Sequence, residues 1–129
     1  MERILYGNPI AEELDNRSKL VFKSFENSND RKPKLTAITV GDNPASLLYV
    51  SRKEEKASEL GVEFNWIKLD RDISQKELDS KVEKASKDSD GIIIQLPLPE
   101  HINLEQAINM IPYNLDVDGL TALNLGNLY

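Results

Sequence analysis

The 129-residue chain predicts an α/β fold, a three-layer α/β/α arrangement in which a mainly parallel sheet carries helices on both faces. Three observations lead there. Short β-branched apolar runs alternate with longer segments of helical periodicity, the pattern of strands joined by helical crossovers. The helical segments begin on recognisable caps, Asn-Pro twice and a Ser/Glu pair once. The length suits one domain, and no internal repeat or Gly/Ser-rich or Pro-rich linker divides it, so residues 1–129 read as a single unit.

The first helix is expected from Asn8-Pro9, where Asn caps free amides and Pro fits the first turn, with Ile10, Leu14, Val21 and Phe25 as its apolar stripe. The polar stretch from Asn27 to Lys34 is a surface loop. Leu35 to Val40 (LTAITV) has the composition of a buried strand, ended by Gly41. Asn43-Pro44 opens a second helix that runs to about Leu60, where Gly61 supplies the left-handed stop. Val62 to Leu69 is the second strand. Ser74 and Glu77 form a capping box for a third helix whose buried face is Leu78, Val82 and Ala85. Gly91 to Leu96 (GIIIQL) is the third strand. Asn103 and Gln106 form another capping pair before a short helix through Ala107, Ile108 and Ile111, stopped near Pro112. The last residues read as loop with a weak helical end.

Composition narrows the function. With 22 acidic against 16 basic residues the net charge is −6, which disfavours a partner built on a continuous phosphate backbone, so nucleic acid is not expected. The absence of cysteine removes disulfides, thiolate metal sites and a cysteine nucleophile. No apolar run approaches the roughly 18 residues of a membrane span, and the N-terminus lacks a signal-peptide core. A cytoplasmic protein without membrane or metal is the expectation.

In such a sheet, ligands sit beyond the carboxyl ends of the strands. That rule selects the Gly41 turn with the helix after it, the end of GIIIQL, and the DVDG loop. The GDNP turn is not a P-loop, and no GxGxxG occurs. Tyr49 and Lys53 lie four apart and project from one helix face, either as a plate and an ammonium that stack a ring and move a proton, or as a half-buried Tyr beside a solvated Lys. Gln95 ends an isoleucine run, where its amide needs partners; Leu96-Pro97-Leu98-Pro99 then gives a stiff exit to which a cis Leu96-Pro97 bond is open. Asp116 and Asp118 are either turn formers or carboxylates in a site, where paired acids can act as acid and base or bind a hard cation, and a carboxylate can accept two parallel N–H bonds from a heterocyclic amidine. His101, the only histidine, has no nucleophile–acid pattern around it and reads as loop surface.

Three segments, VGDNPASLLYVSRKEEKASELG, DGIIIQLPLPEHI and IPYNLDVDGLTALNLGNL, resemble in order and spacing the bifunctional methylenetetrahydrofolate dehydrogenase/methenyltetrahydrofolate cyclohydrolase family. The resemblance covers essentially the whole chain. It implies an N-terminal folate-binding catalytic domain, followed in the family by a Rossmann domain that brings NADP to the cleft, in a homodimer. By the resemblance, Tyr49 stacks on the aminobenzoyl ring of a tetrahydrofolate one-carbon derivative and Lys53 is the central catalytic group. Gln95 orients Lys53, Asp118 binds the pterin amidine edge, Leu96 and Pro97 line the folate pocket, and Asp116 supports the loop.

The chemistry implied is NADP-dependent oxidation of 5,10-methylenetetrahydrofolate to the methenyl cation and its hydrolysis to 10-formyltetrahydrofolate. The family's cofactor domain would follow Tyr129, so the 129 residues alone are not expected to reduce NADP. The alternative is a non-catalytic folate-binding half that works with a partner chain; a remoter one is the substrate domain of an amino-acid or shikimate-type dehydrogenase. Two departures from the family pattern stand out. Glu55 and Lys56 replace the usual Lys and Ala after the catalytic lysine, and the approach ASKDSDG is short.

Overall fold

The computed structural model describes residues 4–129. Its elements run α1 (Asn8–Asn29), β1 (Lys34–Val40), α2 (Pro44–Leu60), β2 (Glu63–Leu69), α3 (Gln75–Ser86), β3 (Gly91–Ile94), α4 (Leu104–Asn109) and α5 (Ala122–Gly126). The three strands form one sheet in the order β2-β1-β3. Both pairings are parallel, with Ala37 of β1 level with Trp66 on one side and Ile93 on the other. The expected α/β/α layering is present, and within this sheet the strands are wholly parallel.

Central β1 is buried on both faces from Thr36 to Val40, which is why its sequence reads as a continuous apolar run and not as an alternation. On one face Ile38, Val40, Ile92 and Ile94 meet Leu78, Val82 and Ala85 of α3 and Ala107 of α4. On the other, Ala37 and Ile93 meet Val50 of α2, flanked by Leu35, Phe64 and Trp66. Fully buried Leu78 and Val82 each contribute roughly 1.5–3 kcal/mol by removal from water. The buried hydroxyls are satisfied: Trp66 Nε1 donates to Thr39 Oγ1 at 3.0 Å, and Thr36 Oγ1 pairs with Ser89 Oγ at 2.7 Å.

The caps follow local chemistry closely. Asn43 Oδ1 accepts from the backbone N–H of Ala45 and Ser46, and Gly61 ends α2 at φ 82°, a conformation that favours glycine. Ser74 and Glu77 form both bonds of the capping box. Asn103 caps α4 through the Gln106 N–H, but the return bond is not made. Instead Gln106 Nε2 reaches Asp79 of α3 at 2.6 Å and the Asn103 N–H donates to Gln75 Oε1 at 2.7 Å, because α3 lies alongside and offers both groups. The weak helical end expected at the C-terminus is α5, capped by Thr121.

Three expectations are corrected. The cap of α1 is Gly7, without a side-chain bond, and Asn8 is already helical. The stripe of α1 is also not a core face, since Ile10, Leu14 and Val21 are 61%, 55% and 63% exposed. This helix rests on α2 and not on the sheet, and it does so partly through ion pairs, Lys56 with Asp15 and Lys19 with Glu59. The third strand is shorter than GIIIQL: β3 stops at Ile94, although the Gln95 N–H still donates to the Ile38 carbonyl at 2.9 Å. Beyond β3 the chain adds an edge the sequence did not announce. The Ile92 N–H donates to the Leu115 carbonyl at 2.8 Å, and Ile92 and Asp116 form an isolated parallel bridge. No described helix is long and apolar enough to cross a membrane.

Candidate functional site

The site is assembled from the middle of α2 and the residues that follow β3. Because α2 is anchored at Asn43, residues three and four apart repeat on its inner side: Ser46 and Val50 are buried, Lys53 is half-buried, and Tyr49 is 55% exposed beside them. Lys53 Nζ donates to Gln95 Oε1 at 2.9 Å. The other end of the same amide, Nε2, donates to the Leu96 carbonyl at 3.2 Å. An ammonium has donors only, so this pair of bonds fixes which end of the amide faces Lys53.

Ser46 joins the arrangement without having been singled out in the sequence. Its Oγ donates to the Leu96 carbonyl at 3.2 Å, the acceptor that Gln95 also uses, immediately before the cis Leu96-Pro97 bond. The available signal was its position three residues before Tyr49, on the helix face that carries Lys53. A chain of bonds therefore runs from Ser46 through the Leu96 carbonyl and the Gln95 amide to Lys53.

Lys53 opens on a cavity of about 510 Å³ lined by Tyr49, Leu35, Ala57, Leu60 and Val117 among others. Its floor is apolar and its rim is cationic. Two of the rim cations are neutralised: Lys34 pairs with Asp88, and Lys56 with Asp15 and Glu59. The bonds from Asp15 and then Glu59 raise the Lys56 pKa, so the unusual residue at this position has its charge engaged by α1 and its own helix. No carboxylate is paired with Lys53 among the described residues.

The DVDG loop separates its two acids by role. Asp116 accepts from the N–H groups of Leu120 (3.2 Å) and Thr121 (2.8 Å) and from Asn124 Nδ2 (2.9 Å). Burial pushes its pKa up, but the bonds from Asn124, Thr121 and Leu120 outweigh it and hold the carboxyl below its ordinary range. This is a loop-supporting carboxylate, as expected. Asp118 is exposed and makes no side-chain hydrogen bond to any described residue, and it borders a small crevice beside Ile92, Ile93 and Ile94.

The structure thus brings Tyr49, Lys53 and Gln95 together and sets Asp118 next to Val117 of the same cavity wall. It separates Leu96 and Pro97. The Leu96 side chain lines a groove with Leu104, Ile108 and Leu120, and Pro97 is exposed beside Asp42, Asn43 and Arg71. His101 sits on the surface, its Nε2 2.8 Å from the Ile73 carbonyl. No group of three or more His, Cys, Asp or Glu among the described residues could hold a metal ion.

A parallel α/β domain that presents an amide-held lysine beside an apolar cavity has the make-up of a small-molecule-binding domain. Comparison with known proteins makes the class specific. Residues 5–118 match the tetrahydrofolate dehydrogenase/cyclohydrolase family, catalytic domain, and the chain belongs to that family. It is 40% identical over 131 residues to the bifunctional protein FolD of Halothermothrix orenii, covering 100% of this chain and 46% of that one. Among solved structures, a 5,10-methylenetetrahydrofolate dehydrogenase from the silkworm Bombyx mori superposes with TM-score 0.91 at 35% identity, over 99% of this chain and 45% of that one. The methylenetetrahydrofolate dehydrogenase-cyclohydrolase of Trypanosoma brucei, solved with NADP and an inhibitor, gives TM-score 0.89 at 26% identity over 98% of this chain and 43% of that one. The chain spans less than half the length of these relatives.

Proposed function

We propose that this chain supplies the folate site of a methylenetetrahydrofolate dehydrogenase/methenyltetrahydrofolate cyclohydrolase, acting in one-carbon metabolism. The observation that carries the reading is the 2.9 Å bond from Lys53 to Gln95 on the wall of an apolar cavity beside Tyr49. Tyr49 offers its ring to the aminobenzoyl group, and Asp118, with both carboxylate oxygens unengaged by described side chains, accepts two parallel N–H bonds from the pterin amidine edge.

In the hydrolytic step water adds to the methenyl carbon and gives up a proton. The bond to one ring nitrogen then breaks as the new hydroxyl gives up its remaining proton to become the formyl C=O and that nitrogen takes a proton, leaving the formyl group on the other. Lys53 is the group placed to take or give these protons. Gln95, by accepting from Nζ, fixes where the ammonium stands, and the Leu96 carbonyl and Ser46 fix Gln95 in turn. Positioned acid–base catalysis of this kind contributes roughly 100- to 10,000-fold.

NADP, the family's hydride acceptor, does not fit these residues. The six glycines are scattered, none at GxGxxG spacing, and no glycine-rich turn leads into a helix that could cradle a pyrophosphate. Dehydrogenation therefore needs a nicotinamide-binding unit besides the 129 residues described by this sequence.

The test is direct. The chain is titrated with 5-formyltetrahydrofolate while Trp66 and tyrosine fluorescence is followed, and 5,10-methenyltetrahydrofolate is supplied as substrate. Saturable binding with hydrolysis above the buffer rate is expected. Binding without hydrolysis would reduce the chain to a folate-binding module, and absence of both would refute the folate assignment.

A further inference from the structure

Asp118 is held by its loop and not by partners of its own, so the depth at which that loop seats decides where its carboxylate stands. The seat is Gly91. A Cβ built on Gly91 would lie 2.7 Å from Val117 Cγ1 and 3.3 Å from Leu35 Cδ1, and the first distance is one that real side chains do not show. Gly91 is buried and its φ is not in the left-handed region, so it is required here for space and not for backbone freedom. Val117 is β-branched and restricted at χ1, so a methyl added at Gly91 would force it out of its seated rotamer or lift the turn that carries it.

The surroundings leave the loop little other freedom. Its start is pinned by the Ile92 N–H to Leu115 carbonyl bond, its far side by the three groups that bond Asp116, and the Gly119 N–H returns to the Asp116 carbonyl at 3.3 Å to close a turn. Val117 and Asp118 are the two corners of that turn. Val117 also lines the cavity of Tyr49 and Lys53, so a shift of this corner moves the cavity wall and the neighbouring carboxylate together.

We infer that Gly91 is a positioning residue: by lacking a side chain it seats Val117 against the sheet edge and so sets the placement of Asp118 relative to Tyr49 and Lys53. The inference rests on the folate reading for the identity of the ligand. It concerns the amino end of β3, the strand whose other end leads into Gln95.

The experiment is a four-member cycle of the wild-type chain, Gly91→Ala, Val117→Ala and the double variant, each titrated with 5-formyltetrahydrofolate and checked for folding by circular dichroism. Gly91→Ala is expected to weaken binding about tenfold or more by forcing Val117 outward, and Val117→Ala several-fold by leaving the turn unseated. In the double variant one methyl fills the space of the other, so it should bind more tightly than either single. Positions that act independently, with Gly91 not seating Val117, would make the losses add. If Gly91→Ala does not fold, the comparison of Val117→Ala with the double variant still decides. Additive losses, wild-type binding by Gly91→Ala, or a double variant that does not fold would overturn the inference. If the wild type fails to bind, the folate assignment falls, and the seating is then read from amide chemical shifts. Gly91→Ala should displace residues 115–120 and spare α2, with the shifts reverting in the double variant; unmoved residues 115–120 would overturn it independently.

Discussion

If Gln95 acts only by holding Lys53, removing both residues should cost no more than removing Lys53 alone. Lys53→Met keeps an unbranched stem in the same space while deleting the ammonium, and Gln95→Leu keeps the volume while deleting the acceptor. Loss of the acid–base group is worth about 2.7–5.4 kcal/mol of barrier, the equivalent of a 100- to 10,000-fold fall in hydrolysis of 5,10-methenyltetrahydrofolate. The Gln95→Leu change breaks one hydrogen bond to a charged group, worth about 1.5–3 kcal/mol, so roughly 10- to 150-fold if all of it is expressed in the rate. Independent effects would multiply, giving the double variant a further fall of tenfold or more below Lys53→Met. The bond predicts instead that the double variant and Lys53→Met agree within about twofold. Binding of 5-formyltetrahydrofolate should stay within a few-fold throughout, and melting temperatures should move by only a few degrees because both side chains are partly open to water. Multiplying losses, or a Lys53→Met variant that hydrolyses at the wild-type rate, would refute the assignment.

Ser46→Ala removes one of the two donors to the Leu96 carbonyl and should lower hydrolysis more than binding, seen as a fall in kcat with KM nearly constant. Leu78→Ala empties a fully buried position under the sheet and should cost about 2–5 kcal/mol in urea unfolding without altering ligand specificity. Stability should also fall in acid. The bidentate bond from Arg31, opposed by burial and aided by the Lys34 N–H, lowers the Asp90 pKa, and the bonds to Asp116 lower that one. A carboxyl whose folded pKa is depressed contributes fully above its unfolded value near 4 and loses that contribution as pH falls through the folded value. Urea midpoints measured from pH 7 to pH 2 should therefore drop below about pH 4, less steeply in Asp90→Asn.

What could be read from the sequence was what local chemistry decides. Asn43, Gly61, Ser74 and Glu77 make bonds within a few residues of themselves, so their neighbours along the chain were sufficient to assign them. The spacing of Tyr49 and Lys53 was readable for the same reason, but their meeting with Gln95, 42 residues on from Lys53, depended on the family resemblance. Partners that arrive only through tertiary packing were out of reach. Gln106 bonds to Asp79 and not to its own cap, Ser46 finds the Leu96 carbonyl, and residues 115–117 run beside β3 where only a loop was expected. The apolar positions of α1 show the converse error. Periodicity identifies a helix, but it does not say whether a sheet, another helix or solvent lies against the stripe.

That placement of α1 bears on how the domain opens. A 22-residue helix with no buried residue, joined to the rest through ion pairs and partly covered phenylalanines, has little holding it beyond its own backbone bonds. Its amides are set to exchange with solvent through local detachment, well before the sheet and α3 come apart in global unfolding. Phe22 of this helix lines the cavity of Lys53, so each detachment removes one wall of the ligand space while leaving the Lys53–Gln95 bond in place. A ligand that touches Phe22 would close that route and register as slowed exchange along α1.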